Sequence, residues 1–253
     1  TLMSAGVQDI LIISLPRDLA DYQVLLGDGK KWGLNISYKE QREPKGIAEA
    51  FILGESFIDG HPVTLILGDN IFYSEKLTEQ LLPITARKEG ATVFAYKVHD
   101  PRAFGVINFD KQGRAIKIEE KPLSPSSPYA VPGFYFFDAD APDIAKTLQP
   151  SARGELEITD MQQVYLERGD LLVDILGDDF KWFDTGTPKS LLSASAFVQS
   201  IEEQHFIKLA CPEELAYRMG YIQLDDLAKL AAAVKECPYS LYLKGIVTKE
   251  GKA

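Results

Sequence analysis

Three features of this sequence predict an α/β fold with a mixed sheet, an antiparallel insert and a helical appendage. Apolar runs of strand length alternate with helical patterns up to about Val98, the pattern turns to short strands and turn residues after Asp100, and it is helix-rich from about His205. With 253 residues, 45% of them hydrophobic, the chain can bury the core such a fold needs.

Leu2 to Ala5 read as a helix end stopped by Gly6, and Asp9-Ile10-Leu11-Ile12-Ile13-Ser14-Leu15 as a strand apolar enough to be covered on both faces. A helix is expected over about Pro16 to Leu26, a strand over Leu34 to Tyr38 and a helix over about Ile47 to Phe57. The run Val63-Thr64-Leu65-Ile66-Leu67-Gly68-Asp69-Asn70 is a strand ending in a glycine and a carboxylate. Ligands of open α/β sheets bind past the carboxyl ends of strands, which places Asp69 at that crevice. A helix (about Glu75 to Glu89) and a strand (Ala91 to Val98) complete the βαβ-type series. Phe104 to Phe109 and Arg114 to Glu120, joined at Asp110-Lys111-Gln112-Gly113, predict an antiparallel hairpin, followed by a strand from Tyr129 to Phe137. Thr159 and Gln162 match a capping box for a helix over Ile158 to Gly169, while Thr187 and Pro188 open one reaching about Glu203. The boundaries expected are a core over 1–204, with its antiparallel part at about 100–185, and an appendage over 205–253 in which Leu224, Leu227 and Leu230 form an amphipathic stripe suited to an oligomer interface.

Composition removes several function classes. A net charge of −10 argues against long nucleic acid, whose affinity rests on basic side chains. Cys211 and Cys237 form no CxxC pair and no disulfide framework, which makes reduced thiols in the cytoplasm the expectation. No apolar stretch is long enough for a membrane span. His61, His99 and His205 stand apart from any zinc spacing, no G-x-S-x-G elbow is present, and Gly27-Asp28-Gly29-Lys30 fails the P-loop spacing. Chemistry that uses a hard cation rather than a histidine base is favoured. A second apolar-to-acid ending, Phe180-Lys181-Trp182-Phe183-Asp184, supplies a carboxylate that could share a magnesium ion with Asp69.

Four further segments carry chemistry. Gln41 precedes Pro44, Gly46 and a helix start, and an amide can both donate to and accept from a nucleobase edge. Glu120 and Lys121 end a hairpin strand side by side, and Arg153-Gly154-Glu155 couples a forked cation suited to phosphate with a carboxylate suited to sugar hydroxyls. Together Q-x-x-P-x-G-I-A-x-A, L-G-D-N, F-G-V, E-E-K-P, Y-A-V-x-G, R-G-E-L-E-I-T-D and W-x-D-T-G-T occur in one order. This ordered set closely resembles the bacterial glucose-1-phosphate thymidylyltransferases of the sugar nucleotidyltransferase family, and the resemblance extends through the tail to Arg218.

The resemblance implies a Rossmann-like, GT-A-like mixed sheet and a reaction of dTTP with glucose 1-phosphate, giving dTDP-glucose and pyrophosphate for deoxysugar or rhamnose synthesis. By that similarity Gln41 would read thymine with the Gly46 backbone, and Asp69 and Asp184 would hold magnesium. Gly105, Glu120, Val131 and Glu155 would line the sugar site, Lys121 and Arg153 would hold the sugar phosphate, and Trp182 would wall the pocket. Lys121, Arg153 and Asp69 are the expected catalytic groups, and the resemblance also implies a homotetramer with a regulatory nucleotide site near the tail. The attacking phosphate oxygen is already ionised at neutral pH, so catalysis reduces to positioning and charge neutralisation.

The family's opening strand and G-x-G-T-R-L loop do not occur in this sequence. Lacking a central first strand, the fold should show unpaired strand edges and an exposed apolar seam. The chain as written should accordingly turn over little dTTP; turnover near that of a version carrying such a loop would refute this. Pro132 stands where the family often has Thr, and Phe104 where Tyr is common. A nucleotidyltransferase using UTP or another sugar phosphate and a noncatalytic sugar-nucleotide-binding module are the competing readings.

Overall fold

The computed structural model describes residues 1–252, so the last residue of the expected appendage, Ala253, lies outside it. After a short 3-10 turn closed by Gly6, β1 (Asp9–Ser14), α1 (Pro16–Leu26) and β2 (Asn35–Glu40) form a right-sized βαβ unit. The two strands pair in parallel, Asp9 opposite Asn35 and Ser14 opposite Glu40. The single helix expected over Ile47 to Phe57 is two: α2 (Glu49–Leu53) and α3 (Glu55–Ile58), divided at Gly54. Glycine is among the weakest helix formers, which explains the break.

β3 (Val63–Ile66) stops three residues short of Asp69, and the chain turns there and continues as β4 (Asn70–Tyr73). Next come α4 (Leu77–Thr85), β5 (Ala91–Lys97), and the predicted hairpin as β6 (Gly105–Phe109) and β7 (Ala115–Glu120). The strand expected over Tyr129 to Phe137 is split into β8 (Tyr129–Ala130) and β9 (Phe134–Phe137), because Pro132 between them has no N–H to give a ladder. α5 (Ala141–Thr147), α6 (Ile158–Arg168), β10 (Leu171–Ile175), β11 (Lys181–Asp184) and α7 (Pro188–His205) complete the core. Thr187 caps α7 as expected, accepting from the Ser190 N–H. Thr159 does not cap α6: the helix is entered from Glu157, and Thr159 and Gln162 are buried inside it, so the predicted capping box does not form.

The sheet is mixed rather than a parallel series. β9 lies between β3 and β5, antiparallel to both; β10 pairs with β5 in parallel; and β8, β6 and β7 extend the same sheet as the antiparallel insert. β1 and β3 do not pair. The β1–β2 ladder and the seven-stranded sheet each present an unpaired edge, and the apolar seam between those edges is the one expected. A third ladder, β4 antiparallel to β11, sets Asn70 opposite Asp184.

One core lies between the large sheet and α2, α5 and α6, centred on Phe51, Val93, Phe137, Met161 and Tyr165. A second, aromatic core joins the β4–β11 ladder to the same sheet through Phe72, Phe94, Phe134, Phe180 and Trp182. The tail forms α8 (Pro212–Arg218), α9 (Leu224–Ala233) and α10 (Pro238–Glu250). Its leucine stripe is used within the chain: Leu227 is fully buried in a third core with Trp32, Leu34 and Leu243, flanked by Leu224 and Leu230. No helix among the described residues is long and apolar enough to cross a membrane.

Candidate functional site

The β4–β11 ladder brings the two acid endings together. Asp69 sits in the turn before β4 and Asp184 at the end of β11. Thr185 fastens them, donating from its N–H (2.9 Å) and its hydroxyl (2.7 Å) to the Asp69 carbonyl. A methyl group placed on Gly186 would lie 3.1 Å from Asp184 Oδ1 and 3.5 Å from Asp69 Oδ2, so both carboxylates border one small space. Each is oriented from behind: Asp184 Oδ1 accepts the Gly186 N–H (2.9 Å), and Asp69 Oδ1 accepts from Asn70 Nδ2 (2.8 Å). Asn70 is buried, and its Oδ1 accepts both the Gly133 N–H (3.1 Å) and Trp182 Nε1–H (2.6 Å). Trp182 is itself buried, edge-on to Phe104 and Tyr96, with its indole N–H committed to Asn70.

The second group surrounds Arg153. Its Nη2 lies 2.6 Å from Glu157, 3.1 Å from Glu155 and 3.4 Å from Glu120, and its Nε donates to Glu157 at 3.1 Å. Burial pushes the Glu157 carboxyl up, but hydrogen bonds from Arg153 and Ser151 outweigh it and hold this acid below its ordinary range. The reverse holds for Glu120: burial raises it, the Glu157 charge adds to that, and Lys121 and Arg153 offset only part. Lys121 stands 3.7 Å from Glu120 in a left-handed backbone conformation (φ 42°), anchored by its N–H to the Phe104 carbonyl. A non-glycine residue there stores about 1–2 kcal/mol of strain, and such strain clusters at ligand clamps. Gly105 and Val131 lie beside this group, joined by the Val131 N–H to the Gly105 carbonyl (2.8 Å).

The third component is the loop after β2. Gln41 and Gly46 line, with Gly68 and Glu155, the cavity of about 440 Å³ that forms the apolar seam; Glu155 belongs to the second group and Gly68 adjoins Asp69. Gln41 donates from Nε2 to Glu49 (2.7 Å). Backbone bonds from Leu156 N–H to the Lys45 carbonyl (2.7 Å) and from Ala48 N–H to the Leu156 carbonyl (3.2 Å) tie the loop to the Arg153 segment. Gly46 has φ 103°, and a Cβ there would meet the Leu156 carbonyl at 2.3 Å. Gly46→Ala should therefore cost at least about 2 kcal/mol, read as a lowered Tm together with weakened nucleotide binding. An unchanged Tm would refute the tight approach.

Sequence reasoning missed Tyr135. Burial raises its phenol far above the ordinary range, and the charges of Glu120, Asp69 and Asp184 push it further. Its only sequence signal was a place in an apolar strand. Asn70, which holds Asp69, was visible only as part of L-G-D-N.

Asp69 and Asp184 set two carboxylates on one space, a concentration of negative charge that a positive ion would relieve. Among the described residues no group of three or more His, Cys, Asp or Glu side chains is placed to hold a metal. Two hard oxygens are what the chain offers beside Gly186. That fits magnesium, which commonly takes one or two carboxylates and completes its shell with water and phosphate.

The raised Glu120 carboxyl has a measurable consequence. Since its folded value lies above the unfolded one, the ionised form weakens the fold at neutral pH. Glu120→Gln should raise Tm by a few degrees near pH 7.5, and the difference should vanish below about pH 4, where both states carry the proton. The same change should raise KM for the sugar phosphate. A parent chain more stable than the variant at pH 7.5 would overturn this.

The nucleotidyl transferase family model matches residues 1–201. A glucose-1-phosphate thymidylyltransferase from Xanthomonas campestris pv. campestris (strain B100) is 47% identical over 248 residues, 98% of this chain and 84% of that protein. The corresponding protein of Neisseria meningitidis is 48% identical, over 98% of this chain and 86% of its own length. Among solved structures, a Bacillus anthracis protein described as a glucose-1-phosphate thymidylyltransferase, in complex with sucrose, has 40% identity and a TM-score of 0.71, covering 78% of each chain. A UDP-glucose pyrophosphorylase bound to UDP-glucose shares the fold, with a TM-score of 0.66 at 23% identity.

Proposed function

The chain belongs to the nucleotidyl transferase family, within the glucose-1-phosphate thymidylyltransferases, and we propose that its site transfers a thymidylyl group from dTTP to glucose 1-phosphate, giving dTDP-glucose and pyrophosphate. The observation that carries the site assignment is the meeting of Asp69 and Asp184 at one space beside Gly186, together with Arg153 held by Glu120, Glu155 and Glu157 and Lys121 set against Glu120.

In this reading Arg153 and Lys121 grip the sugar phosphate. Arg153 is pre-oriented by its three carboxylates, so little side-chain freedom is lost on binding. Glu120 and Glu155 accept from sugar hydroxyls, with Gly105 and Val131 shaping the floor. Gln41 reads the thymine edge, and the Gly46 backbone lies close enough to assist. Asp69 and Asp184 would hold magnesium, which when bound neutralises charge on the nucleotide phosphates. No side chain need remove a proton, because the attacking phosphate oxygen is already ionised. The exposed His61, His99 and His205 fit a reaction run by positioning and charge. The family resemblance further supports a homotetramer in the cytoplasm whose product enters deoxysugar or rhamnose synthesis.

Calorimetry of dTDP-glucose and UDP-glucose in the presence of magnesium, paired with pyrophosphate release from dTTP and UTP by a version carrying the family's G-x-G-T-R-L loop, tests this reading. Tighter binding of dTDP-glucose and preference for dTTP are expected. Preference for the uridine compounds would overturn the base assignment, and failure to bind either sugar nucleotide would overturn the site.

A further inference from the structure

We infer that Asn108 is a positioning residue for Lys121, holding that cation in place through Ser126 and the stiff connection between β7 and β8. The inference rests on the reading in which Lys121 grips the sugar phosphate. β7 and β8 flank β6 and are both antiparallel to it, so they run parallel to each other and the chain between them has to cross over β6. The crossing takes residues 121–128, with prolines at Pro122, Pro125 and Pro128. It leaves from the Gly105 end of β6, where Glu120 lies opposite, and returns beside Ile107, where Tyr129 lies opposite. Backbone bonds fasten both ends: Lys121 N–H to the Phe104 carbonyl (3.0 Å) and Val98 N–H to the Pro128 carbonyl (2.9 Å). Between them Ser126 donates from its hydroxyl to Asn108 Oδ1 (2.6 Å), Asn108 donates from Nδ2 to Glu119 Oε2 (2.9 Å), and Lys117 Nζ donates to Glu119 Oε1 (2.7 Å). Successive strand residues face opposite ways and Lys117 lies opposite Asn108, so this chain of bonds occupies the face of the hairpin turned away from the Glu120 carboxylate.

The left-handed backbone at Lys121 is what gives these bonds their purpose. A non-glycine residue keeps such a conformation only where its surroundings over-determine it. The Phe104 carbonyl fixes the chain on one side of Lys121, and Ser126 is the fixed point on the other. A glycine-rich connection would not carry that restraint back to Lys121, whereas a proline-rich one keeps its direction over several residues, which is the separation involved. Asn108 can act as the anchor because it is held in turn. Its amide N–H is committed to Glu119, whose carboxyl is kept below its ordinary range by the Lys117 bond first and the Asn108 bond after it, so it stays an ionised acceptor. Releasing Ser126 lets Lys121 relax toward ordinary backbone angles. Lys121 and Arg153 both border Glu120, so that relaxation alters the spacing of the two cations that would grip one phosphate.

The test uses the full chain carrying Asn108→Ala, Ser126→Ala or Ser126→Thr. Without any ligand, hydrogen exchange at the Lys121 N–H should be about tenfold faster in both alanine variants and close to the parent rate in Ser126→Thr, which keeps the hydroxyl. Val93, buried in the large sheet, should exchange as before. With magnesium present, calorimetry should show dTDP-glucose bound about 3- to 10-fold more weakly by the alanine variants, the size of one lost hydrogen bond. dTMP, which has the base without the sugar phosphate, should bind them as it binds the parent. Lys121→Ala supplies the reference: if it weakens dTDP-glucose and Asn108→Ala does not, the inference falls while the reading of Lys121 stands, and if neither weakens it, both fall. An unchanged exchange rate at Lys121 in the alanine variants overturns the inference whatever the ligands do, and so does a Ser126→Thr variant that behaves like Ser126→Ala.

Discussion

In a version carrying the family's G-x-G-T-R-L loop, Asp184→Asn should lower thymidylyl transfer about 100- to 1,000-fold while leaving Tm nearly unchanged, a loss of the size seen when one charge-stabilising group is removed from a transition state. Asparagine retains an oxygen to accept the Gly186 N–H, so the turn survives, but one of the two hard anionic oxygens beside Gly186 is gone. A second readout separates this from structural damage: Mn²⁺ affinity, measured by electron paramagnetic resonance with dTTP present, should fall, and Asp69→Asn should match it. Because the two carboxylates border a single space, the double substitution should cost little more than either alone. Unaltered Mn²⁺ affinity in both single variants would remove these residues from the metal assignment.

The largest expected loss of stability lies at Asn70, the residue after Asp69. Asn70→Ala strands two buried donors, the Gly133 N–H and Trp182 Nε1–H, at about 1–3 kcal/mol each, which should lower Tm by on the order of 10 °C. It also frees Asp69 from its orienting amide, so nucleotide and metal binding should weaken with the fold. Asn70→Asp is the informative partner. It restores an acceptor for both donors and should recover much of the lost Tm. It also sets a new carboxyl against Asp69, which should move the pH dependence of Mn²⁺ binding upward. Equal Tm values for the Ala and Asp variants would show that the two donors find other partners.

The strands flanking the site were legible because uninterrupted apolar runs such as Asp9–Ser14 and Ala91–Lys97 have few alternatives. β4 and β10 were not. β4 is four residues long and opens on a polar asparagine, and Asp174 breaks the apolar run in β10. The similar endings at Asp69 and Asp184 suggested a shared cation, but the ladder that brings them together pairs segments far apart in the chain, and local pattern carries no register between them. Thr159 shows the converse error: a correct local motif yielded to tertiary packing, because the Glu157 carboxylate is held by Arg153 and Ser151 and the helix is entered there. Tyr135 could not be singled out at all, since its raised phenol reflects burial and the charges of three acids distant in sequence.

The backbone bonds joining Lys45, Ala48 and Leu156 bear on how readily this protein could be altered. They make the loop that would choose the base and the segment that would grip the sugar phosphate a single mechanical part, with Gly46 as the point where the two halves touch. Engineering that reshapes residues 41–46 to accept a different nucleotide will displace Glu155 and Arg153 as well. On the proposed assignment base choice and sugar choice would be a linked trait, and directed evolution toward one should be screened against both.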